Sequence, residues 1–169
     1  YVIDVKKATK GPQIFLSRSH PGLVRRLFEL EVPEISDGTV EIKGIAREAG
    51  SRTKIAVYSH DENVDPVGAC VGNRGTRVQS IVDELFGEKI DIIVWDEDPA
   101  VLISNVLKPA EVEGVYINYV SEKEKMATAV VPEQQLSLAI GREGQNVRLA
   151  ARVSGWKIDI KSKSQLEDS

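Results

Sequence analysis

The 169-residue sequence has few of the residues that build disulfide frameworks, metal centres or membrane spans. It contains one cysteine, Cys70, so no intrachain disulfide can form and a reducing compartment is expected. The two histidines, His20 and His60, have no partner at metal-ligand spacing, and turn or helix-cap roles are favoured for both. No apolar run reaches the roughly 18 residues that a membrane-spanning helix needs, and no secretory signal is visible. The sequence therefore predicts no metal, no cofactor and no membrane partner.

Basic side chains are outnumbered by acidic ones, with 22 Lys and Arg against 26 Asp and Glu, which gives a net charge of −4 at pH 7. Its distribution is more informative than its sum. Residues 83–124 carry 11 acidic and 3 basic side chains, whereas residues 137–163 carry 6 basic and 2 acidic ones. The acidic stretch is either a solvated face or a face that repels RNA. The basic stretch creates the local positive field that attracts a polyanion.

Two glycine-framed turns lie 69 positions apart in the sequence. "VGNRG" begins at Val71 and "IGREG" begins at Ile140. The strand-like segments "KIDI" at Lys89 and Lys157 follow them at nearly the same separation. An ordered set of matches of this kind indicates an internal repeat.

Each repeat predicts the element order α-β-β-α-turn-α-β. The first helix of the first repeat is expected to begin after Ser19 as its cap, and Pro99 opens the first helix of the second repeat. Alternating apolar residues predict the strands, and amphipathic runs that stop at Gly87 and Gly155 predict the helices after the turns. Before the repeats, two strands around the "KGP" turn are expected to complete a domain whose earlier part is missing, so the chain is interpreted as a fragment.

The two turns are the predicted nucleic-acid site. Glycines without β-carbons let phosphate oxygens approach the main-chain amides, and the helix that follows directs its free N–H groups and positive dipole end to the same place. Each turn is expected to hold about four nucleotides of an extended single strand. The predicted contacts are Gly72, Asn73, Arg74, Gly75 and Arg77 in the first repeat and Gly141, Arg142, Glu143, Gly144, Gln145 and Arg148 in the second.

Several of these residues also have a plainer structural interpretation. One G-x-x-G turn is often only a tight corner between two helices, and the matched pair is what favours function. Buried roles are favoured for Cys70, which has no neighbouring base, and for Trp95 and Trp156. The cationic side chains around the first predicted hairpin turn are either a solvated tip or an extra contact with RNA or polymerase: Arg47, Arg52 and Lys54.

The element order resembles the type II, prokaryotic KH domain, and the tandem closely resembles the NusA family. The stretches that carry the family resemblance are "GPQIFLSRSHPGLVRRLFELEVPEI", "REAGSRTKIAV", "DPVGACVGNRGTRVQSIVDEL" and "LAIGREGQNVRLAARVSGWKIDI". The resemblance implies an α+β fold with two tandem KH domains after the last strands of an incomplete OB-fold barrel. The expected boundaries are 1–18 for the barrel remnant, 19–96 and 97–163 for the KH domains, and 164–169 for a polar tail.

The resemblance also implies a cytoplasmic, non-enzymatic regulator of transcription elongation, pausing, termination and antitermination. Its implied partners are nascent single-stranded RNA and RNA polymerase, with no small-molecule substrate, and a monomer is expected. Glu143 is a departure from a purely basic or neutral clamp, and it is interpreted as pairing with Arg142 or Arg148 or as repelling phosphate from one side. The rival classes are a ribosomal small-subunit protein, a nucleotide enzyme and a KH scaffold that mainly binds protein.

Overall fold

The structure is a computed structural model that describes residues 2–8, 11–119, 121 and 123–167. Its helices are α1 (Pro21–Glu31), α2 (Pro33–Ser36), α3 (Pro66–Val71), α4 (Thr76–Glu84), α5 (Pro99–Val106), α6 (Leu136–Ile140), α7 (Gln145–Ser154) and α8 (Lys163–Glu167). Its strands are β1 (Val2–Ala8), β2 (Gly11–Leu16), β3 (Val40–Glu48), β4 (Arg52–Ser59), β5 (Lys89–Val94), β6 (Gly114–Tyr119), β7 (Lys125–Val131) and β8 (Lys157–Ser162).

The repeated element order predicted from the sequence is confirmed. The first unit runs from α1 to β5 and the second from α5 to β8. Each unit has a three-stranded sheet, in the orders β3-β4-β5 and β6-β7-β8. The first two strands of each sheet are antiparallel, and the third is parallel to the second because two helices carry the chain back across the sheet. The mixed α+β architecture with two KH-type units is therefore as expected.

The segments at the two ends of the chain differ in how far they match the predictions. β1 and β2 pair antiparallel as predicted, although residues 9 and 10 of their turn lie outside the described residues. Residues 163–167 form α8, a short helix after β8, where the sequence suggested a polar tail. No described helix is long and apolar enough to cross a membrane.

Three helices are capped by a residue that directly precedes a proline and whose side chain accepts a backbone N–H of the first turn. The residue is Asp65 for α3 and Asp98 for α5. For α1 the cap is His20, whose Nδ1 accepts the N–H of Gly22 at 2.9 Å. The prediction that Ser19 caps this helix is wrong, because proline at the first helical position places the preceding histidine at the cap.

The second unit packs directly on the first. One apolar cluster, which we call the central cluster, joins β-strand residues of the first sheet to α5, α7 and the second sheet: Ala46, Ala56, Ile93, Leu102, Ile103, Val106, Leu107, Ala127, Ala129, Leu149, Ala150, Val153 and Trp156. The opposite face of the first sheet packs on α1, α3 and α4. The first sheet is therefore covered on both faces, and α5 and α7 lie between the two sheets.

A glycine in β3 permits the close approach of α7. A β-carbon at Gly44 would lie 2.8 Å from the carbonyl oxygen of Val153, which is shorter than a real carbon–oxygen contact. The neighbouring positions that face α7 are also small, namely Ala46 and Ala56. Small residues on this face therefore let the helix backbone rest against the sheet.

Two buried ion pairs fix the surroundings of the β3–β4 turn. The Arg47 and Glu88 side chains are 4% and 0% exposed, with Nη2 2.9 Å from Oε1. The Lys54 side chain is 0% exposed, and its Nζ lies 3.0 Å from Asp91 Oδ2 and 2.6 Å from the carbonyl oxygen of Lys108 in the second unit. Burial lowers the pKa of Lys54.

The structure corrects one of the two alternatives for this basic cluster. Arg47, Arg52 and Lys54 are not a solvated tip, because each side chain lies against a carboxylate of β5 or the residue before it, and a contact with RNA or polymerase stays a prediction. Charges removed from water in this way need partners with good geometry. The cluster is structural, and it ties the first sheet to the linker before α1 and to the segment after α5.

Replacing Arg47 with alanine is expected to lower the free energy of unfolding by about 3 kcal/mol or more, because Glu88 would remain buried without its cation. Urea unfolding followed by circular dichroism measures the change. The matched control is Arg26→Ala, which removes an exposed pair with Glu29 and is expected to change stability by less than about 0.5 kcal/mol. Equal effects of the two variants would contradict a structural role for Arg47.

Candidate nucleic-acid interface

The two glycine-framed turns have the same backbone conformation. In the first turn φ is 78° at Gly72, 56° at Arg74 and 74° at Gly75. In the second turn φ is 80° at Gly141, 56° at Glu143 and 78° at Gly144. The sequence repeat is therefore a repeat of backbone geometry to within a few degrees.

Each turn needs glycine for two separate reasons. Gly72 and Gly141 combine a positive φ with ψ of 176° and 169°, a region that only glycine occupies routinely. A β-carbon at Gly141 would also lie 2.6 Å from the backbone nitrogen of Asn146. A β-carbon at Gly144 would meet nothing closer than 3.9 Å, so only its left-handed φ of 78° restricts that position.

The two turns place the first residues of α4 and α7, Thr76 and Gln145, at the protein surface. The residues before these helices, Gly75 and Gly144, make no side-chain cap hydrogen bond. The first amide of each helix already donates within the turn, from Thr76 to the carbonyl oxygen of Asn73 and from Gln145 to that of Arg142, so what each turn presents at the surface is the positive end of the helix dipole. An anionic oxygen is the group that this arrangement binds best.

The two middle residues of each turn are exposed. These are Asn73 and Arg74 in the first turn and Arg142 and Glu143 in the second. Arg74 and Glu143 occupy the equivalent left-handed position, so opposite charges are presented at matched sites. The contact predicted between Glu143 and Arg148 is present, but it uses the carbonyl oxygen of Glu143, which accepts from Arg148 Nη1 at 3.0 Å.

Arg77 lies behind the first turn and supports it. Its Nη1 donates to Glu34 Oε2 at 2.8 Å and to the carbonyl oxygen of Ala69 at 2.7 Å. The equivalent residue of the second unit is Asn146, whose Nδ2 donates to the carbonyl oxygens of Leu107 and Ala139. Sequence reasoning missed Asn146, although its spacing of 69 from Arg77 was a usable signal. RNA contact by Arg77 stays a prediction.

Arg148 and Gln145 join the second turn to the first unit. Arg148 donates from Nε and Nη2 to the two carboxylate oxygens of Glu48, at 2.8 and 2.7 Å. Gln145 Nε2 donates to Ser51 Oγ at 2.7 Å. Hydrogen bonds from Arg148 hold the pKa of Glu48 below its usual value. Sequence reasoning missed Glu48 and Ser51, since they lie about a hundred positions away and carry no motif.

A surface hollow accompanies each turn. The first runs along α4 and is lined by Arg74, Gly75, Thr76, Val78, Gln79, Ser80 and Asp83. The second lies between the second turn and the β3–β4 turn of the first unit, and is lined by Glu48, Ala49, Ser51, Arg142, Glu143, Gln145 and Arg148. The first unit therefore supplies one wall of the hollow at the second turn.

The remaining reactive residues have structural partners. Burial raises the pKa of the Cys70 thiol to about 12, so it is a poor nucleophile. His60 lies 2.9 Å from Glu41, and Trp156 is part of the central cluster. Within residues 2–8, 11–119, 121 and 123–167, no group of three or more His, Cys, Asp or Glu side chains is placed to hold a metal ion.

Two protein-family models match this chain. The model of the NusA-like first KH domain matches residues 18–95, and the model of the NusA-like second KH domain matches residues 99–168. Together they cover both structural repeats and both glycine-framed turns. The break between the two matches falls in the short connection between β5 and α5.

Curated relatives with high identity share one description, transcription termination/antitermination protein NusA. The protein of Halalkalibacterium halodurans is 60% identical over 168 residues, which are 99% of this chain and 43% of that protein. The Bacillus subtilis protein is 59% identical over 99% of this chain and 44% of its own length. The Mycobacterium bovis protein is 55% identical over 95% of this chain and 46% of its own length. The chain spans less than half the length of these relatives.

A solved structure shares the fold at much lower identity. The crystal structure of APE1850 superposes with a TM-score of 0.59 at 19% sequence identity. The match covers 83% of this chain and 97% of that chain. At this identity the likeness concerns the fold alone.

Replacing each of the two glycines of the second turn with alanine is expected to reduce the stability of the fold by a different amount. Gly144→Ala is expected to lower the free energy of unfolding by about 1 kcal/mol, because the only cost is a left-handed backbone at a residue that carries a β-carbon. Gly141→Ala is expected to cost about 3 kcal/mol or more, since the new β-carbon would also meet the backbone of Asn146. Chemical denaturation of the two variants, each compared with the parent, measures the difference. A Gly141→Ala variant as stable as Gly144→Ala would contradict this geometry.

Acid is expected to weaken the contact between Glu48 and Arg148. The folded-state pKa of Glu48 is lowered, so its stabilising contribution is fully present above the ordinary carboxyl pKa of about 4.3 and is lost as pH falls through the lowered value. Glu48→Gln should therefore be less stable than the parent at pH 7, and the difference should shrink as the pH falls below about 4. Urea unfolding at pH 7 and pH 3 tests this, with Glu31→Gln on the exposed part of α1 as control. A difference that persists unchanged at pH 3 would disprove it.

Proposed function

This chain belongs to the NusA family, and from that premise we propose that its two G-x-x-G turns hold single-stranded nascent RNA during transcription. The proposed role is regulation of elongation, pausing, termination and antitermination, with RNA polymerase as the protein partner. Because the chain spans about 43–46% of the relatives it matches, the activity of a whole NusA protein is proposed here only through this RNA-holding part. We further propose that it works in the cytoplasm as a monomer and catalyses no reaction.

The observation that carries this proposal is the identical backbone of the two turns. Each turn places the positive end of a helix dipole at the surface and has no side chain at its two glycine positions to keep a phosphate away. Backbone amides and a helix dipole favour an anion without regard to base identity. Two such sites in one chain suit a repeating polyanion better than a single small phosphate compound.

The packing of the units supports one continuous RNA path. Residues 95–98 connect β5 to α5, and α5 and α7 are packed between the two sheets. Arg148 and Gln145 fix the second turn against Glu48 and Ser51 of the first unit. The two turns are therefore held at a set separation, so that about eight nucleotides bind in a single event.

Aspartates in the turns are expected to weaken RNA binding without unfolding the domain. The variants are Asn73→Asp with Arg74→Asp, and Arg142→Asp with Glu143→Asp. Aspartate tolerates the left-handed backbone of the third turn position, so the fold should persist while phosphate is repelled. Combining all four changes should lower the affinity at least about tenfold and reduce its salt dependence.

The measurement is fluorescence anisotropy with labelled single-stranded RNA at two salt concentrations, and circular dichroism checks the fold. The matched control is Arg25→Asp with Arg26→Asp on α1, whose side chains line a different hollow. The proposal would be overturned if the turn variants bound RNA with unchanged affinity, or if the affinity of the parent for RNA did not change with salt concentration. Such results would favour a scaffold that mainly binds protein.

A glycine-serine spacer after Glu97 is expected to weaken binding of RNA long enough to reach both turns. The spacer is combined with Gly44→Val, whose side chain would collide with Val153 and displace α7 from the first sheet, so the second turn would no longer be held at a set distance. Binding of four-nucleotide RNA should stay the same, because one turn suffices for it. The same anisotropy titration compares both lengths, and equal affinity of the spacer variant and the parent for long RNA would show that the units act independently.

A further inference from the structure

An exposed aromatic ring stands at the end of α4 without a structural reason. Phe86 is 89% exposed, and its backbone is left-handed with φ of 57°. Bulky side chains disfavour this conformation, which glycine and asparagine adopt readily. At the end of α7 the left-handed residue is Gly155, which the sequence repeat matches with Gly87, itself left-handed with φ of 90°, so the left-handed phenylalanine before Gly87 belongs to the first unit alone among the two helix ends. Neither packing nor backbone preference therefore explains a phenylalanine at this position, and strain of this kind points to function.

A guanidinium group lies beside the Phe86 ring and is held in place. The Arg18 guanidinium carbon is 5.7 Å from the ring centroid, and Arg18 Nη2 donates to the carbonyl oxygen of Glu84 at 3.2 Å. The backbone of Arg18 is fixed as well, since its carbonyl oxygen accepts from Arg47 Nη1 at 2.6 Å. Arg47 is itself anchored by the buried Glu88. Phe86, with the Arg18 guanidinium held over one face of its ring, is thus a preorganised stacking surface, which we call the Phe86 shelf.

The Phe86 shelf lies next to the hollow of the second turn. A hollow at the shelf is lined by Arg18, Ser19, Arg47, Ala49, Gly50, Leu85, Phe86 and Glu88. Ala49 also lines the hollow that contains Arg142 and Arg148. Only the β3–β4 turn separates the two hollows, and the negative charge of Glu88 is neutralised by Arg47. A strand that leaves the second turn across this short turn meets the shelf.

We propose that the Phe86 shelf is an additional nucleotide site that stacks one base of an RNA strand continuing beyond the second turn. The inference rests on the proposed RNA binding and deepens it by naming a third point of contact. Aromatic rings and arginine planes are the side chains on which single-stranded bases stack, and stacking tolerates any base sequence. Continuity with a phosphate-binding turn favours RNA over a protein segment as the occupant.

Phe86→Asn is the decisive variant, because asparagine suits the left-handed backbone and should keep the fold intact. RNA of about eight nucleotides, which fills the two turns, should bind the variant and the parent equally. RNA of about twelve nucleotides should bind the parent tighter than the variant by about tenfold, the loss of one stacked base. Phe86→Trp should retain the parent affinity for the longer RNA.

The control for loss of an exposed apolar side chain is Leu30→Asn on α1, where Leu30 is 67% exposed and should not affect either RNA. A second readout is photocrosslinking with 5-iodouridine placed in the last four positions at either end of the longer RNA, followed by mass spectrometry. Crosslinks to the peptide that contains Phe86 are expected from one end.

The outcomes separate this inference from the function on which it rests. A loss for long RNA alone, restored by tryptophan, supports the shelf. Equal loss for both lengths overturns it, because the ring would then support the fold of the turns. No loss at either length, with parent binding intact, also overturns it and points to a protein contact. If the parent binds neither RNA, the proposed RNA binding fails first, and the shelf fails with it.

Discussion

The packing of α7 on the first sheet is the contact on which the rest of the structure depends. It needs Gly44, because any β-carbon there would collide with the carbonyl oxygen of Val153. The segment after α5 is held to the same sheet by the buried Lys54, whose ammonium group donates to Asp91 and to the carbonyl oxygen of Lys108. Through these contacts the first sheet becomes the centre of a layered molecule rather than the edge of a separate domain.

The same packing determines the surroundings of the second turn. Because α7 rests on β3 and β4, its first residues lie beside the β3–β4 turn, where Glu48 accepts both hydrogen bonds from Arg148. The hollow at the second turn is consequently built from both units, whereas the first turn borders on α4 of its own unit. Two turns with one backbone geometry therefore present different chemical surfaces to a strand that crosses them.

Family membership and physical reasoning contribute different parts of the functional argument. The matches to both NusA-like KH domains and the relatives at 55–60% identity establish the family, and hence the expectation of a transcription role. The positive dipole ends of α4 and α7 supply a physical reason why these turns attract phosphate. Phe86 is explained by neither, since the matching helix of the second unit ends at Gly155 with no left-handed phenylalanine before it, and this makes it the residue most worth testing.

The sequence by itself determined the repeat, the order of helices and strands, and the two glycine turns, because local periodicity, glycine spacing and proline at helix starts act over a few residues. It left the cap of α1 misplaced by one residue, and it did not find the carboxylate partners of Arg47, Arg52 and Lys54. Only the tertiary structure decided those positions, together with the partners of Arg77 and Arg148. The physical reason is that a charged side chain is placed by the carboxylate or carbonyl that meets it, and Glu88, Asp91 and Glu48 reach their cations from 37 to 100 positions away.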